Sequence, residues 1–396
     1  MKTAAISILA IMLCGSFAFG AVGDLTFMKK PPAPRSSVRI YVSRFTHGGA
    51  DKARGLVSES SVVGQLRGAL GVTVAIDASK ADATQPDVIR LDFTGKGDFS
   101  KAPTAAIKMR PAQRNVTLGM IGPAIVVAKR DGGLVPVSLS GTYWKQGDRR
   151  GLSLMMSAAA EGSCRFGTKT YPVRVIDGNG NFKLSDALKP PFRPSTMMPF
   201  DRVLVGTDDG KFSSAAATSY VGQPIFVDGK LYTIDVSDMK IKAVGMSGSG
   251  GKVKVDAPRW SCTLIGKKYF VSLTGGKDPI VVPPDEYVTA NYTVYTGSDP
   301  SKRSAAIRGY GSYRGGRAFK VAAGQTVDMQ LGSPIEATVM ASARAGKARI
   351  NLMMKDPLGG RISSITNDAG KRPTPPSIEV VDKAGKIVYT AKLAYG

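Results

Sequence analysis

Apolar side chains recur at every second position along much of this chain, the spacing of strands that bury one face. "SVRIYVSRF" from Ser37 and "GVTVAID" from Gly71 show it early. Beyond Tyr310 it is cleanest: Val327, Met329 and Leu331, then Ile335, Ala337 and Val339, then Ile350, Leu352 and Met354 predict three strands. One stretch, "ARGLVSESSVVGQLRGAL", spaces its apolar residues unevenly around interior glycines and leaves a short helix open. The expected fold is mainly β: a multidomain antiparallel β-sandwich architecture with short hairpins and little helix.

Two local patterns repeat. A strand runs into an Asp/Gly turn and then a phenylalanine in "VIRLDFTGKGDFS", "PVRVIDGNGNFKLSD" and "DRVLVGTDDGKFSS", which places Phe99, Phe182 and Phe212 just past the turns. Glycine, lysine or threonine, and then a tyrosine opening an apolar strand recur in "GTKTYPVRV", "GKLYTIDV", "GKKYFVSL" and "GKIVYTAKL". In two of these a cysteine lies seven residues before the tyrosine: Cys164 before Tyr171, and Cys262 before Tyr269. A repeated hairpin type is the simplest source of both patterns.

The opening "MKTAAISILAIMLCGSFAFGAVG" has an early cation, an apolar run and small residues, the layout of a secretory leader cut after Gly20. Cys14 offers lipid anchoring as the less favoured alternative, because bulky Leu13 precedes it. No later window holds the roughly 18 apolar residues of a membrane-spanning helix, so a periplasmic or secreted location is expected. Length then suggests two or three domains at about 150 residues each. The expected divisions are leader 1–20, proline-rich linker 21–37, an N-terminal β-rich domain with Asp/Gly loops 38–195, a middle β-rich domain 196–300 and a C-terminal immunoglobulin-like sandwich 301–396, with a proline cluster marking the boundary near 195 and another a loop inside the last domain. Glycine is abundant, 46 residues, and favours turns over long helices.

A formal charge of +24 is compatible with an anionic polysaccharide or cell-wall polymer as partner, general surface basicity is the favoured reading, and an export leader makes nucleic acid unexpected. The local candidate is "DPSKRSAAIRGYGSYRGGRAFK", where Arg308, Arg314, Arg317 and Lys320 interleave with Tyr310 and Tyr313. The favoured reading of this segment is a charged hairpin edge that resists aggregation.

Candidate chemistry is sparse. Asp177, Asn179 and Asn181 occupy positions 1, 3 and 5 of a calcium loop, with Asp186 an off-register fourth donor, but Phe182 stands where glycine belongs and Leu188 where the bidentate acid belongs. Asx turns, in which these side chains accept nearby backbone amides, are favoured over a calcium site, and no other cofactor is expected. Cys164 and Cys262 could form one disulfide or remain two buried thiols. His47 is the only histidine, and no GxSxG, HExxH or CxxC occurs, which removes the apparatus of the common hydrolases. Asp285 and Glu286 are an adjacent carboxylate pair, but neighbours on a strand face opposite sides.

The order of the leader, the "DGNGNF" and second Asp/Gly loops, "VDGKLYTIDV", "VVPPDEYVTANYTVY", "FKVAAGQTVDMQLGSP" and a terminal "YG" resembles secreted bacterial β-rich proteins of uncharacterised function. Their loops would read D-x-N-x-D-G; here Phe182 and Lys96 depart from that pattern. The last hundred residues resemble an immunoglobulin-like or carboxypeptidase-regulatory-like sandwich. The resemblance implies no activity. A non-catalytic structural or surface-interaction protein of the envelope is the leading expectation, followed by a polyanion or carbohydrate binder at 302–320, then a carboxylate-based glycoside hydrolase.

Overall fold

The structure, a computed structural model, describes residues 22–32, 40–42, 54–57, 61–65, 72–82, 85–113, 116–130, 133–147, 149–178, 180–192, 200–207, 209–212, 217–297, 305–311, 317–344 and 347–393. Among these, regular structure is strand throughout, in several antiparallel sheets, so the mainly β expectation holds. The ambiguous stretch contributes a strand, β3 (Val62–Gln65), whose two valines are buried. No helix among the described residues is long and apolar enough to cross a membrane.

The first sheet is a meander. Strands β3, β4 (Thr73–Asp77), β5 (Val88–Asp92), β6 (Thr104–Gln113), β7 (Val116–Arg130), β8 (Gly133–Gln146) and β9 (Arg149–Ser157) pair in sequence, and β2 (Ile40–Val42) adds to β9. The sheet curls, because Val62, Val74 and Ile76 from one end share a core with Leu152, Leu154 and Met156 from the other. A register shift between Ile121 and Ala124 bends the long β7–β8 hairpin at Gly122, whose φ is 69°.

The second sheet also curls until its ends meet. Its order is β13 (Ala217–Tyr220), β12 (Arg202–Val205), β11 (Lys169–Ile176), β10 (Ala159–Phe166), β1 (Gly23–Phe27), β16 (Lys240–Gly245), β15 (Lys230–Ser237), β14 (Pro224–Val227). The end strands β13 and β14 are consecutive in the chain, and the Ser219 hydroxyl donates to the Pro224 carbonyl at 2.7 Å across the turn between them. Asp228 and Gly229, both at positive φ, make the two-residue turn that twists β14 into β15.

The third unit is a sandwich. One layer is β20 (Ile280–Val282), β17 (Gly251–Lys254) and β24 (Thr326–Asp328). The other runs β19 (Phe270–Gly275), β18 (Arg259–Ile265), β21 (Asp285–Tyr295), β22 (Ala306–Tyr310), β27 (Arg361–Thr366), β26 (Lys347–Lys355), β25 (Glu336–Arg344), with β23 (Phe319–Val321) on β21. Trp260, Tyr287 and Tyr292 fill the space between the layers. A separate hairpin, β28 (Ser377–Val381) and β29 (Ile387–Lys392), follows.

Three expected divisions fail because strand pairing crosses them. The linker at 21–37 holds β1, whose Leu25 pairs with Gly162 and Gly23 with Ile241; the prolines that bar sheet bonding begin only at Pro31. The boundary at 195 separates β11 from β12, yet Val173 pairs with Val205. The boundary at 300 separates β21 from β22, yet Asn291 pairs with Tyr310. The sandwich therefore spans 251–366 and is not confined to 301–396. Proline marks where a chain leaves a sheet and carries no information on whether it returns.

Aromatic rivets join the units. Phe270 stands edge-on to Tyr220 at 5.1 Å, and its amide donates to the Gln223 Oε1 at 2.8 Å, which ties the sandwich to the second sheet. Phe182 packs into the core of the first sheet.

Candidate functional site

The Asp177 bend has its oxygens committed to the main chain. The Asp177 carboxylate accepts the amides of Gly180 and Phe182, each at 2.8 Å. Asn181 Oδ1 accepts the Lys183 amide at 2.8 Å, and its Nδ2 donates to Asp186 at 2.6 Å. Asn179 lies outside the described residues. Asp201, distant in sequence, completes the bend by accepting the amides of Gly178 and Asp186 at 3.0 and 2.7 Å. Burial pushes its carboxyl up to about 8; the two amides oppose the rise, and the charges of Asp177 and Asp186 add to it.

The same device recurs. Asp92 accepts the amides of Thr94 and Gly97, Asn367 those of Ala369 and Lys371, and Asp382 those of Ala384 and Lys386. Among the described residues no three metal-ligating side chains of His, Cys, Asp or Glu converge. The Asp285 carboxylate likewise caps the amides of Lys268 and Tyr269, while Glu286 pairs with Lys267 at 2.7 Å.

The basic segment is divided. Arg308 and Tyr310 sit together on β22, opposite Thr293 and Asn291 of β21, whereas Lys320 on β23 stands opposite Glu286. Along β21 Glu286 is about 17 Å from Asn291 and about 24 Å from Thr293 at ~3.4 Å per residue. Arg317 is exposed beside β23, and Tyr313 and Arg314, like His47 and Cys14, lie outside the described residues. Of the two alternatives for Cys164 and Cys262, the structure has two free thiols, one buried in the second sheet's core and the other in the sandwich core.

What the structure assembles instead is the outer face of β6–β9. Register aligns Arg110, Leu118, Trp144 and Gly151 in one row across the four strands, and Lys108, Met120, Thr142 and Ser153 in the next. Leu118, Met120 and Trp144 are each more than one-third exposed. The indole lies over Gly151, where a β-carbon would come within 2.1 Å of its Nε1, so any other residue there would lift the ring off the sheet. The bend at Gly122 makes the face concave, and a groove of about 510 Å³ runs between Trp144 and Pro123, floored by Met120, Ser140, Ser153 and Met155. Ile125, Val127 and Leu134 continue the exposed apolar surface toward the hairpin tip.

This arrangement can do specific chemistry. A flat, exposed indole accepts the apolar face of a ring, hydroxyls beside it exchange hydrogen bonds, and flanking cations attract acidic groups. A second cleft of about 450 Å³, between the second sheet and the sandwich, is lined by five glycines with Tyr232, Tyr269 and Pro284 among others, and lacks an exposed aromatic plate.

Sequence reasoning passed over Trp144, Gly151 and Asp201. A signal for the first two existed: β8 and β9 follow each other closely, and pairing Gln146 with Arg149 sets Trp144 opposite Gly151. Comparison with protein-family models, curated protein sequences and solved structures finds no match.

Proposed function

We propose that the protein is an exported, non-catalytic surface-interaction protein of the cell envelope, and that it engages an acidic polysaccharide through the outer face of β6–β9. The observation that carries this reading is the Trp144 indole laid on Gly151, facing solvent, with hydroxyls in its groove and Lys108 and Arg110 two strands away on the same face. The high positive charge complements such a partner and speeds encounter. Use of the buried aspartates as main-chain acceptors supports a scaffold role over catalysis.

Affinity electrophoresis through gels containing an acidic polysaccharide tests it. Retardation is expected for the parent protein, loss of most of it for Trp144→Ala, and partial loss for Lys108→Gln with Arg110→Gln. Melting temperatures should stay close to the parent value, since the indole is partly exposed. Full retardation of Trp144→Ala, combined with loss in Arg308→Ala with Arg317→Ala, would move the site to the basic segment of β22 and β23.

A further inference from the structure

The inward side of the same strands ends in a smaller cavity at the mouth of the curled sheet. It measures about 140 Å³ and is lined by Tyr143, Lys145, Arg150, Thr117, Asp77 and Gln85 among others. Lys145 stands opposite Arg150, and Tyr143 opposite Leu152, so all three polar groups project from one side of the β8–β9 pair. On that side Tyr143 is buried, Arg150 half-buried and Lys145 exposed at the mouth.

Tyr143 is only 1% exposed as a whole, and its hydroxyl opens onto the cavity with no hydrogen bond to another described residue. The Arg150 guanidinium acts on the phenol electrostatically and opposes the effect of its burial. Neither Arg150 nor Lys145 forms an ion pair among the described residues.

The one carboxylate on the wall is already neutralised. Asp77 receives the Arg90 Nε at 2.6 Å, the Val57 amide at 3.0 Å and the Ser61 hydroxyl. Two positive charges are left facing the cavity, with a phenol able to donate beside them. The volume equals four to five waters at about 30 Å³ each, enough for one tetrahedral oxyanion and its nearest water but not for a polymer chain.

We propose that this cavity is an oxyanion site that takes a single sulfate or phosphate group, gripped by Arg150 and Lys145 and hydrogen-bonded by the Tyr143 hydroxyl. The group is either a free ion or the end of a larger molecule that waits outside the mouth. The site faces away from the Trp144 groove and does not depend on it.

Titration calorimetry of the full chain at low ionic strength, with inorganic sulfate, inorganic phosphate and glycerol 3-phosphate as probes, tests the proposal. Saturable binding at one site per chain is expected. Arg150→Gln should weaken it about tenfold or more, the loss of one charge-assisted bond of about 1.5–3 kcal/mol. Tyr143→Phe should weaken it severalfold with the fold intact, Arg150→Lys should restore part of the affinity, and Trp144→Ala should leave it unchanged. Tighter binding of glycerol 3-phosphate than of phosphate assigns a pendant group, and the reverse a free ion. Absence of saturable binding to all three probes, or affinities unaltered in both Tyr143→Phe and Lys145→Gln, overturns the site. Neither outcome touches the polysaccharide reading, whose assay depends on Trp144.

Discussion

The ring of Phe182 stands edge-on to that of Phe93, with centroids 5.3 Å apart and planes inclined by 76°. This contact turns the Asp177 bend into a joint, because the bend springs from the second sheet and its phenylalanine is embedded in the core of the first. Phe182 holds φ at 64°, a conformation that disfavours a bulky side chain, so the buried ring offsets backbone strain. Phe182→Ala should destabilise the protein by about 3–5 kcal/mol in urea denaturation, and Phe182→Leu by clearly less. Equal stabilities for all three proteins would show that the ring does not seat as described.

Calcium should leave the melting temperature where it is, since both Asp177 oxygens already accept amides at 2.8 Å. Asp177→Ala strands those two buried donors and should cost about 2–6 kcal/mol, at roughly 1–3 kcal/mol for each amide left unsatisfied. A rise in melting temperature on adding calcium, abolished by chelator, would reassign the bend as a metal site.

Asp201 makes stability depend on pH in a defined direction. Its carboxyl has an ordinary value of 3.8, which the unfolded chain retains, and about 8 in the folded protein. Within that window the folded chain keeps a proton that the unfolded chain has released, so its contribution is full below the window, falls as pH rises through it and levels off above. Denaturation midpoints measured from about pH 5 to about pH 9 should decline and then flatten. Asp201→Asn, which cannot titrate, should remove much of the slope; an undiminished slope would place its origin elsewhere.

The two thiols should be inert in the native protein. Cys164 and Cys262 are 1% and 3% exposed, and burial raises the pKa of both, which suppresses the thiolate that thiol reagents require. Labelling with an aromatic disulfide should reach them only after denaturation, and reductant should leave the melting temperature unchanged. Rapid labelling of the folded protein would contradict their placement in separate cores.

Local signals were legible where a few neighbouring residues decide the outcome. Alternation in "GVTVAID" becomes β4, and "GKLYTIDV" becomes β15. The seven-residue spacing of cysteine and tyrosine shows where such reading stops. A two-residue turn sets Cys164 opposite Tyr171, but the loop from Gly266 to Tyr269 is longer, and Cys262 faces Leu273 instead. The three strands expected beyond Tyr310 form at β24, β25 and β26, yet Val339 on β25 is 59% exposed, because alternation reports a face without naming what covers it.

The chain by itself determined its strands, its bends and its charge, since these follow from the two-residue period of extended backbone, from aspartate and glycine at sites of tight curvature, and from simple counting. Tertiary structure alone decided which strands became neighbours. It seated β1 between β10 and β16, carried sheets across two proline-rich breaks, and brought Asp201 beneath Gly178. Pairing of distant strands depends on where the whole chain returns in space, and nothing within a short window of residues encodes that return.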